Sequence, residues 1–153
     1  MRLLLDEGVP SPPGFRPDMV DARVEVTALR EFDRSLTGAS VPDWYLYLRA
    51  QEAGFDALVT RDWHQSEQLE ELWTLSRTDL SVVTWRRSIE DPVREWGQLL
   101  AYLPEIRRMV EENGPSIVFL PSPRLDRKRL AGPTGARRRP LAGSRPTSRR
   151  ALR

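Results

Sequence analysis

Two short apolar runs, each followed by an aspartate, constrain the fold more than any other feature of this sequence. Residues 2–6 read RLLLD and residues 57–62 read ALVTRD. Apolar runs of this length, bounded by glycine and charged residues, are typical of buried strands in an α/β sheet. Ligands of open α/β sheets bind beyond the carboxyl ends of the strands, so Asp6 and Asp62 are expected at an edge suited to chemistry.

The remaining patterns predict a mostly parallel sheet of about five strands covered by helices, an α/β fold in one domain. Further strands are predicted at residues 23–29, near the sheet edge, and at 80–85 and 117–120. Helices are predicted from about residue 43 to Gly54, over 64–76, and from Asp91-Pro92 to Gly114-Pro115 with a break or kink at Pro104.

Two of these helices carry explicit predictions about their ends and faces. Ser40 is expected to cap the first helix, with Asp43 as the acidic partner three residues later. Trp44, Tyr45 and Leu48 are expected to face inward there. In the helix opened by Asp91-Pro92, the expected inward positions are Val93, Trp96, Leu100 and Leu103.

Composition limits the compartment and the chemistry. The 153 residues include no cysteine, which excludes disulfides and thiolate sites. No run is long enough for a membrane span and no secretory pattern opens the chain, so we expect a cytoplasmic protein without membrane contact. The one lysine, Lys128, follows no glycine-rich loop, and His64 is the one histidine, so a P-loop and a multi-histidine zinc site are excluded.

Charge divides the chain into two segments. Residues 124–153 hold 11 of the 24 basic residues and one acid, so this segment has a net charge of +10 and the rest −8. We therefore expect a folded domain over residues 1–120 and a disordered Arg/Pro-rich tail over 121–153. Such a basic arm could neutralise RNA phosphates nonspecifically. G+C-rich codons alone would give the same composition, so we do not interpret the tail as a specific RNA binder.

Carboxylates are what remains for chemistry. Asp43 would open a helix that runs antiparallel to the strand before Asp62, so Asp6, Asp43 and Asp62 are expected at one crevice. Several carboxylate oxygens, with water in the remaining coordination positions, suit Mg²⁺ or Mn²⁺. Two of these acids also have a purely structural alternative, because Asp62 could cap the following helix and Asp43 could belong to a capping box.

The sequence resembles PIN-domain nucleases, particularly the short PIN-like proteins. The similarity rests on LLLDEG at 3–8, GAS at 38–40, Asp43 opening a helix and LVTRD at 58–62. It implies a Rossmann-like domain and a Mg²⁺- or Mn²⁺-dependent single-strand ribonuclease in which Asp6, Asp43 and Asp62 are the metal-binding and catalytic acids. It further implies a toxin like the VapC proteins, neutralised by a cognate antitoxin, and a homodimer.

Neighbouring residues have smaller expected roles. Glu7 is expected in the loop or behind the ligands, and Thr60 either orients a carboxylate or satisfies local backbone groups. His64 is a candidate ligand for metal or phosphate, or simply a helix-start residue. PIN-like proteins often carry a further acid where this chain has Trp63-His64-Gln65.

That departure keeps other functions open. The first alternative is a catalytically silent PIN-like module that binds RNA or a protein. The second is a metal-dependent phosphatase of another α/β family. The sequence does not identify the RNA target.

Overall fold

A single parallel sheet forms the centre of the part of the chain that is described. The computed structural model describes residues 1–9, 11, 12, 14, 16–38, 41–61, 69–86 and 91–121, with the backbone alone for 69–71. The strands are β1 (Arg2–Leu5), β2 (Glu25–Ala28), β3 (Ala57–Thr60), β4 (Ser81–Trp85) and β5 (Ile117–Leu120). Their order is β2-β1-β3-β4-β5 and all four pairings are parallel. The predicted fold class is confirmed at this level, with β2 at an edge.

Helices connect the strands at nearly the predicted places. They are α1 (Leu29–Phe32), α2 (Asp43–Glu52), α3 (Leu69–Leu75), α4 (Pro92–Ala101) and α5 (Leu103–Asn113), with 3₁₀ turns at Pro17–Met19 and Arg34–Leu36. The helical segment is interrupted at Tyr102, between α4 and α5 and two residues before Pro104, as predicted. Gly54 follows α2 with a φ of 75°, a left-handed conformation that glycine adopts without strain.

The two faces of the sheet form two apolar clusters. Leu3, Leu5 and Val59 point to the face covered by α4 and α5. Leu4 and Leu58 point to the opposite face, which α2 covers. Because side chains alternate along a strand, this parity also determines the face to which residues just beyond each strand belong.

The predicted inward face of α2 is wrong. Trp44, Tyr45 and Leu48 are about 40% exposed, whereas Leu46, Tyr47 and Ala50 are buried against the sheet. Both triplets have the spacing of one helical face, so periodicity alone could not distinguish them. The cap also differs, because the residue at the N-cap is Pro42, without a side-chain bond; Ser40 lies outside the described residues.

The first apolar position predicted for α4 is wrong as well. Val93 is 77% exposed, while Trp96, Leu100 and Leu103 are buried as expected. The helix begins at Asp91-Pro92 as predicted, and Asp91 caps it, since its carboxylate accepts the backbone N–H groups of Val93 and Arg94. Residues 122–153 lie outside the described residues, so the division into a domain and a disordered tail stays a prediction.

Candidate functional site

The strand order places a ligand crevice between β1 and β3. From β1 the chain moves to one side of the sheet, to β2, and from β3 it moves to the other side, to β4. The loops that leave β1 and β3 therefore diverge, and this switch point at the carboxyl edge is where ligands of such sheets bind. Asp6 is the first residue after β1, and its backbone N–H donates to the carbonyl of Val59 in β3 at 2.9 Å.

The Asp6 carboxylate is held in a defined orientation. The hydroxyl of Thr60 donates to Asp6 Oδ2 at 2.9 Å, and the backbone N–H of Glu7 donates to Asp6 Oδ1 at 2.7 Å. Thr60 is 1% exposed, so the donor of the first of these bonds is buried. Each carboxylate oxygen has a second lone-pair direction that can meet a cation. Of the two roles expected for Thr60, orienting a carboxylate is the one its contact supports.

Glu7 connects the end of β1 to the loop that precedes α2. Its Oε2 accepts the backbone N–H of Gly38 at 2.9 Å. This contact brings residues 37–38 to the carboxyl edge of the sheet, close to Asp6. Glu7 therefore orders a loop, in agreement with the loop role expected from the sequence.

Asp43 is the first residue of α2, and the direction of this helix can be read from its other end. Arg2, which begins β1, donates through Nη1 to the carbonyl of Ala53 at 2.6 Å. The end of α2 thus lies at the amino edge of the sheet, so Asp43 begins the helix toward the carboxyl edge. The predicted antiparallel arrangement of this helix and β3 is confirmed. Asp43 and Asp6 share the α2 face, because Asp6 has the same parity as Leu4.

Asp62, the third predicted acid, lies outside the described residues, as does His64. The description of β3 and its continuation reaches Arg61, one residue before Asp62. Within the described ranges, no three Asp, Glu, His or Cys side chains form a group that could hold a metal ion. The meeting of Asp6, Asp43 and Asp62 at one ion therefore stays a prediction.

Sequence reasoning missed a buried acid at the same end of the sheet. Glu95 in the first turn of α4 is 0% exposed, and its Oε2 lies 3.1 Å from Nε of Arg61. The Arg61 N–H is not aligned with this oxygen for a hydrogen bond, so the contact is an ion pair. The signal was available: Glu95 precedes Leu99 and Leu103 at intervals of four, on the stripe of α4 and α5 that packs on the sheet.

A pocket of about 430 Å³ opens beside Asp6 on the side of β2. Its floor includes Val9, Ala28 and Leu29, and its polar lining includes Glu7 and Arg30. The pocket reaches the size of a small-molecule site and combines an apolar floor with polar groups. Asp6 thus borders both this pocket and the crevice between β1 and β3.

None of the helices among the described residues combines the length and the apolar character needed to cross a bilayer. Comparison with known proteins adds no relative: no family model, no curated protein and no solved structure matches the chain.

Proposed function

We propose that this chain is a PIN-like, Mg²⁺- or Mn²⁺-dependent ribonuclease whose metal ligands are Asp6, Asp43 and Asp62. The observation that carries the proposal is the oriented Asp6 carboxylate at the switch point, bound to Thr60 two residues before Asp62 in the sequence. A carboxylate aimed by a buried hydroxyl at the ligand-binding edge has the form of a metal ligand supported by a neighbouring residue.

The donor chemistry of the described acids fits the ion. Asp6 and Asp43 are hard oxygen donors, which Mg²⁺ and Mn²⁺ prefer. Both residues are at the carboxyl edge of the sheet, on the α2 face. The two hydrogen bonds that the Asp6 carboxylate accepts leave further lone pairs on its oxygens for a cation. Such an ion orients a phosphodiester and lowers the pKa of the water that attacks phosphorus.

The chain's own residues then have separate roles. Asp6, Asp43 and Asp62 hold the ion, Thr60 holds Asp6, and Glu7 fixes the loop before α2. Single-stranded RNA as the substrate, a toxin role with a cognate antitoxin, and a homodimer follow from the resemblance to PIN-like proteins and belong to the same proposal.

RNA cleavage tests the proposal. The wild-type chain should cleave single-stranded RNA with Mn²⁺ and lose this activity in excess chelator. Asp6→Asn and Asp62→Asn should abolish cleavage while the circular dichroism spectrum is unchanged, because each removes one anionic ligand with little change in volume. Asp79→Asn is the matched control, since Asp79 is an exposed aspartate just before β4, at the opposite edge of the sheet. Cleavage that persists in chelator, or in both site variants, contradicts the proposal.

A second candidate is a silent module that binds RNA or a protein partner. It is favoured by the lack of an acid at residues 63–65, where PIN-like proteins often carry one. A folded wild-type chain that binds single-stranded RNA in Mn²⁺ without cleaving it would support this candidate over the enzyme.

A further inference from the structure

Arg61 lies across the switch-point crevice on the face opposite to Asp6 and Asp43. Arg61 follows Thr60, and because side chains alternate along a strand, its side chain points to the α4 face. There its Nε lies 3.1 Å from Oε2 of Glu95. On the other side, its Nη1 approaches the carbonyl of Gly8, in the loop after β1, at 3.4 Å. The guanidinium thus connects the end of β3 with the loop after β1, the two segments that border the crevice.

A fixed cation is needed at this position if the crevice is to receive a phosphodiester. Asp6 and Glu7 bring negative charge to the crevice, and residues 1–123 have a net charge of −8, so the domain repels an anionic substrate. The described contacts place the Arg61 guanidinium between the end of β3 and the loop after β1, where the two strands diverge. Its side chain is 32% exposed, so an anion in the crevice can reach it.

We propose that Arg61 binds a phosphate oxygen of the substrate at the switch point and that Glu95 is the positioning residue that holds Arg61 there. The ligand class is a phosphate or phosphodiester anion. The proposal rests on the proposed function, because it assigns how that same site holds its substrate. Guanidinium groups suit this role because their donors match the geometry of phosphate oxygens.

The burial of Glu95 explains why Arg61 would stay in place. Glu95 is 0% exposed and its Oε2 lies 3.1 Å from Nε of Arg61, so moving the guanidinium away would remove this contact from a buried carboxyl group, which costs free energy. Glu95 is in turn fixed by the first turn of α4, which Asp91 caps. The ion pair therefore fixes the position of the partly exposed guanidinium relative to α4.

The first test is a titration of the full-length chain with inorganic phosphate, without metal, followed by NMR at the arginine Nε–H signals. The Arg61 signal, assigned by its loss in Arg61→Lys, should shift and saturate. The signal of Arg49 is the internal control, because that side chain is also paired, with Glu52 at 2.8 Å, but lies in the last turn of α2. A shift at Arg61 no larger than that at Arg49 overturns the proposal, whether or not the chain cleaves RNA.

Glu95→Gln tests the positioning role by the sign of its effect. If Glu95 holds Arg61 in place, the uncharged variant binds phosphate more weakly than wild type. If Glu95 acted through charge alone, removing a negative group near the anion would strengthen phosphate binding, and that result would overturn the positioning role.

Kinetics with single-stranded RNA provide the second test. Arg61→Ala should lower kcat/KM roughly tenfold to a hundredfold, the worth of a charge-assisted hydrogen bond, with Arg61→Lys in between. Arg49→Ala should leave kcat/KM unchanged, and Mn²⁺ affinity should be the same in all variants. An unchanged kcat/KM in Arg61→Ala, or a loss that parallels a loss of Mn²⁺ affinity, contradicts the proposal. A wild-type chain that never cleaves RNA refutes the proposed function instead, and the phosphate titration then decides the role of Arg61.

Discussion

Thr60 determines how the Asp6 carboxylate is presented at the sheet edge. Its hydroxyl is buried and donates to Asp6 at 2.9 Å. This hydrogen bond replaces one that the carboxylate would make with water, and it fixes the rotation of the carboxylate. A neighbouring threonine offers a comparison within the same sheet. Thr84 pairs with Thr60 in the adjacent strand and is 0% exposed, yet its hydroxyl has no hydrogen-bond partner among the described residues.

We predict that Thr60→Val lowers the free energy of unfolding by about 1–3 kcal/mol, because a carboxylate loses a buried donor. If Asp6 is a metal ligand, Mn²⁺ affinity should also fall by roughly tenfold to a hundredfold, as for other residues that orient ligands. Urea denaturation and calorimetry measure the two effects. Thr84→Val is the control and should be neutral or slightly stabilising, since it removes a buried hydroxyl without breaking a bond. Equal effects of the two variants would show that the Thr60 bond is not special.

At the same scale, the sequence identified some contacts and missed others. Asp6 and Thr60 could be placed because two apolar strands of similar length fix where each one ends. The Arg61–Glu95 pair was missed because its partners are 34 positions apart and α4 was interpreted through its apolar residues. A charged residue on an otherwise apolar helical stripe indicates a buried partner, but the sequence does not say which residue supplies it.

At the scale of elements, α4 shows how a cap supports the site. Asp91 accepts the N–H groups of Val93 and Arg94 at 3.1 and 3.2 Å, which satisfies two donors that the first turn leaves unpaired. Glu95 lies in that same turn, so fraying of the turn would loosen its contact with Arg61.

We therefore predict that Asp91→Ala lowers the free energy of unfolding by about 1 kcal/mol, the usual worth of an N-cap. Asp91→Ser should restore most of this loss, because a hydroxyl oxygen can accept the same bonds. Thermal or urea denaturation measures both variants. Equal stability of the alanine and serine variants would mean that the cap bonds contribute nothing.

α5 is connected to the segment between β1 and β2 by an ion pair. Nε of Arg107 donates to Asp21 Oδ2 at 2.7 Å, and both side chains are about 10% exposed or less. The Arg107 guanidinium, followed by the backbone N–H of Arg23, holds the pKa of the Asp21 carboxyl below its ordinary value. The folded state therefore binds this proton more weakly than the unfolded state does.

This lowered pKa predicts the direction of a pH effect. The contribution of Asp21 to stability is complete above about pH 4, the ordinary range of a carboxyl, and is lost as the pH falls through the lowered value in the folded state. Asp21→Asn should thus be less stable than wild type at pH 7, and the difference should shrink below about pH 4. Urea denaturation at a series of pH values measures it. A difference that stays constant with pH contradicts the assignment.

The elements also show what periodicity can and cannot predict. Strand positions and the ends of α2 and α5 followed from apolar runs and from glycines with positive φ. The inward face of α2 did not, because two adjacent triplets share one spacing and the sheet selects between them. The exposed triplet includes Trp44 and Tyr45, whose rings contact each other edge to face with their centroids 5.9 Å apart. This contact between the two rings stabilises the exposed side chains of α2 without burying them against the sheet.

At the scale of the whole molecule, charge separates residues 1–123 from residues 124–153. The first segment has a net charge of −8 and the second +10. Phosphate binding by basic residues releases counterions, so its strength depends steeply on salt and little on base sequence. The basic segment is therefore suited to nonspecific attraction, whereas Arg61 would contact one phosphate at the site.

Removal of residues 124–153 should accordingly weaken association with single-stranded RNA at low salt and flatten the dependence of log K on log salt. The choice of cleavage position should stay the same, because in the proposed nuclease the metal site at Asp6 lies in the other segment. Fluorescence anisotropy at several salt concentrations, with cleavage mapping, measures both. An unchanged salt dependence would show that the basic segment does not contact RNA.

The most direct measurement is a calorimetric titration of the folded, full-length chain with Mn²⁺, because every functional claim depends on Asp6, Asp43 and Asp62 sharing one ion. We predict saturable binding by the wild-type chain. We also predict its loss in Asp6→Asn and in Asp62→Asn, with both variants still folded and Asp79→Asn unaffected. A folded wild-type chain that takes up no Mn²⁺, or site variants that bind it as well as wild type, would contradict the account.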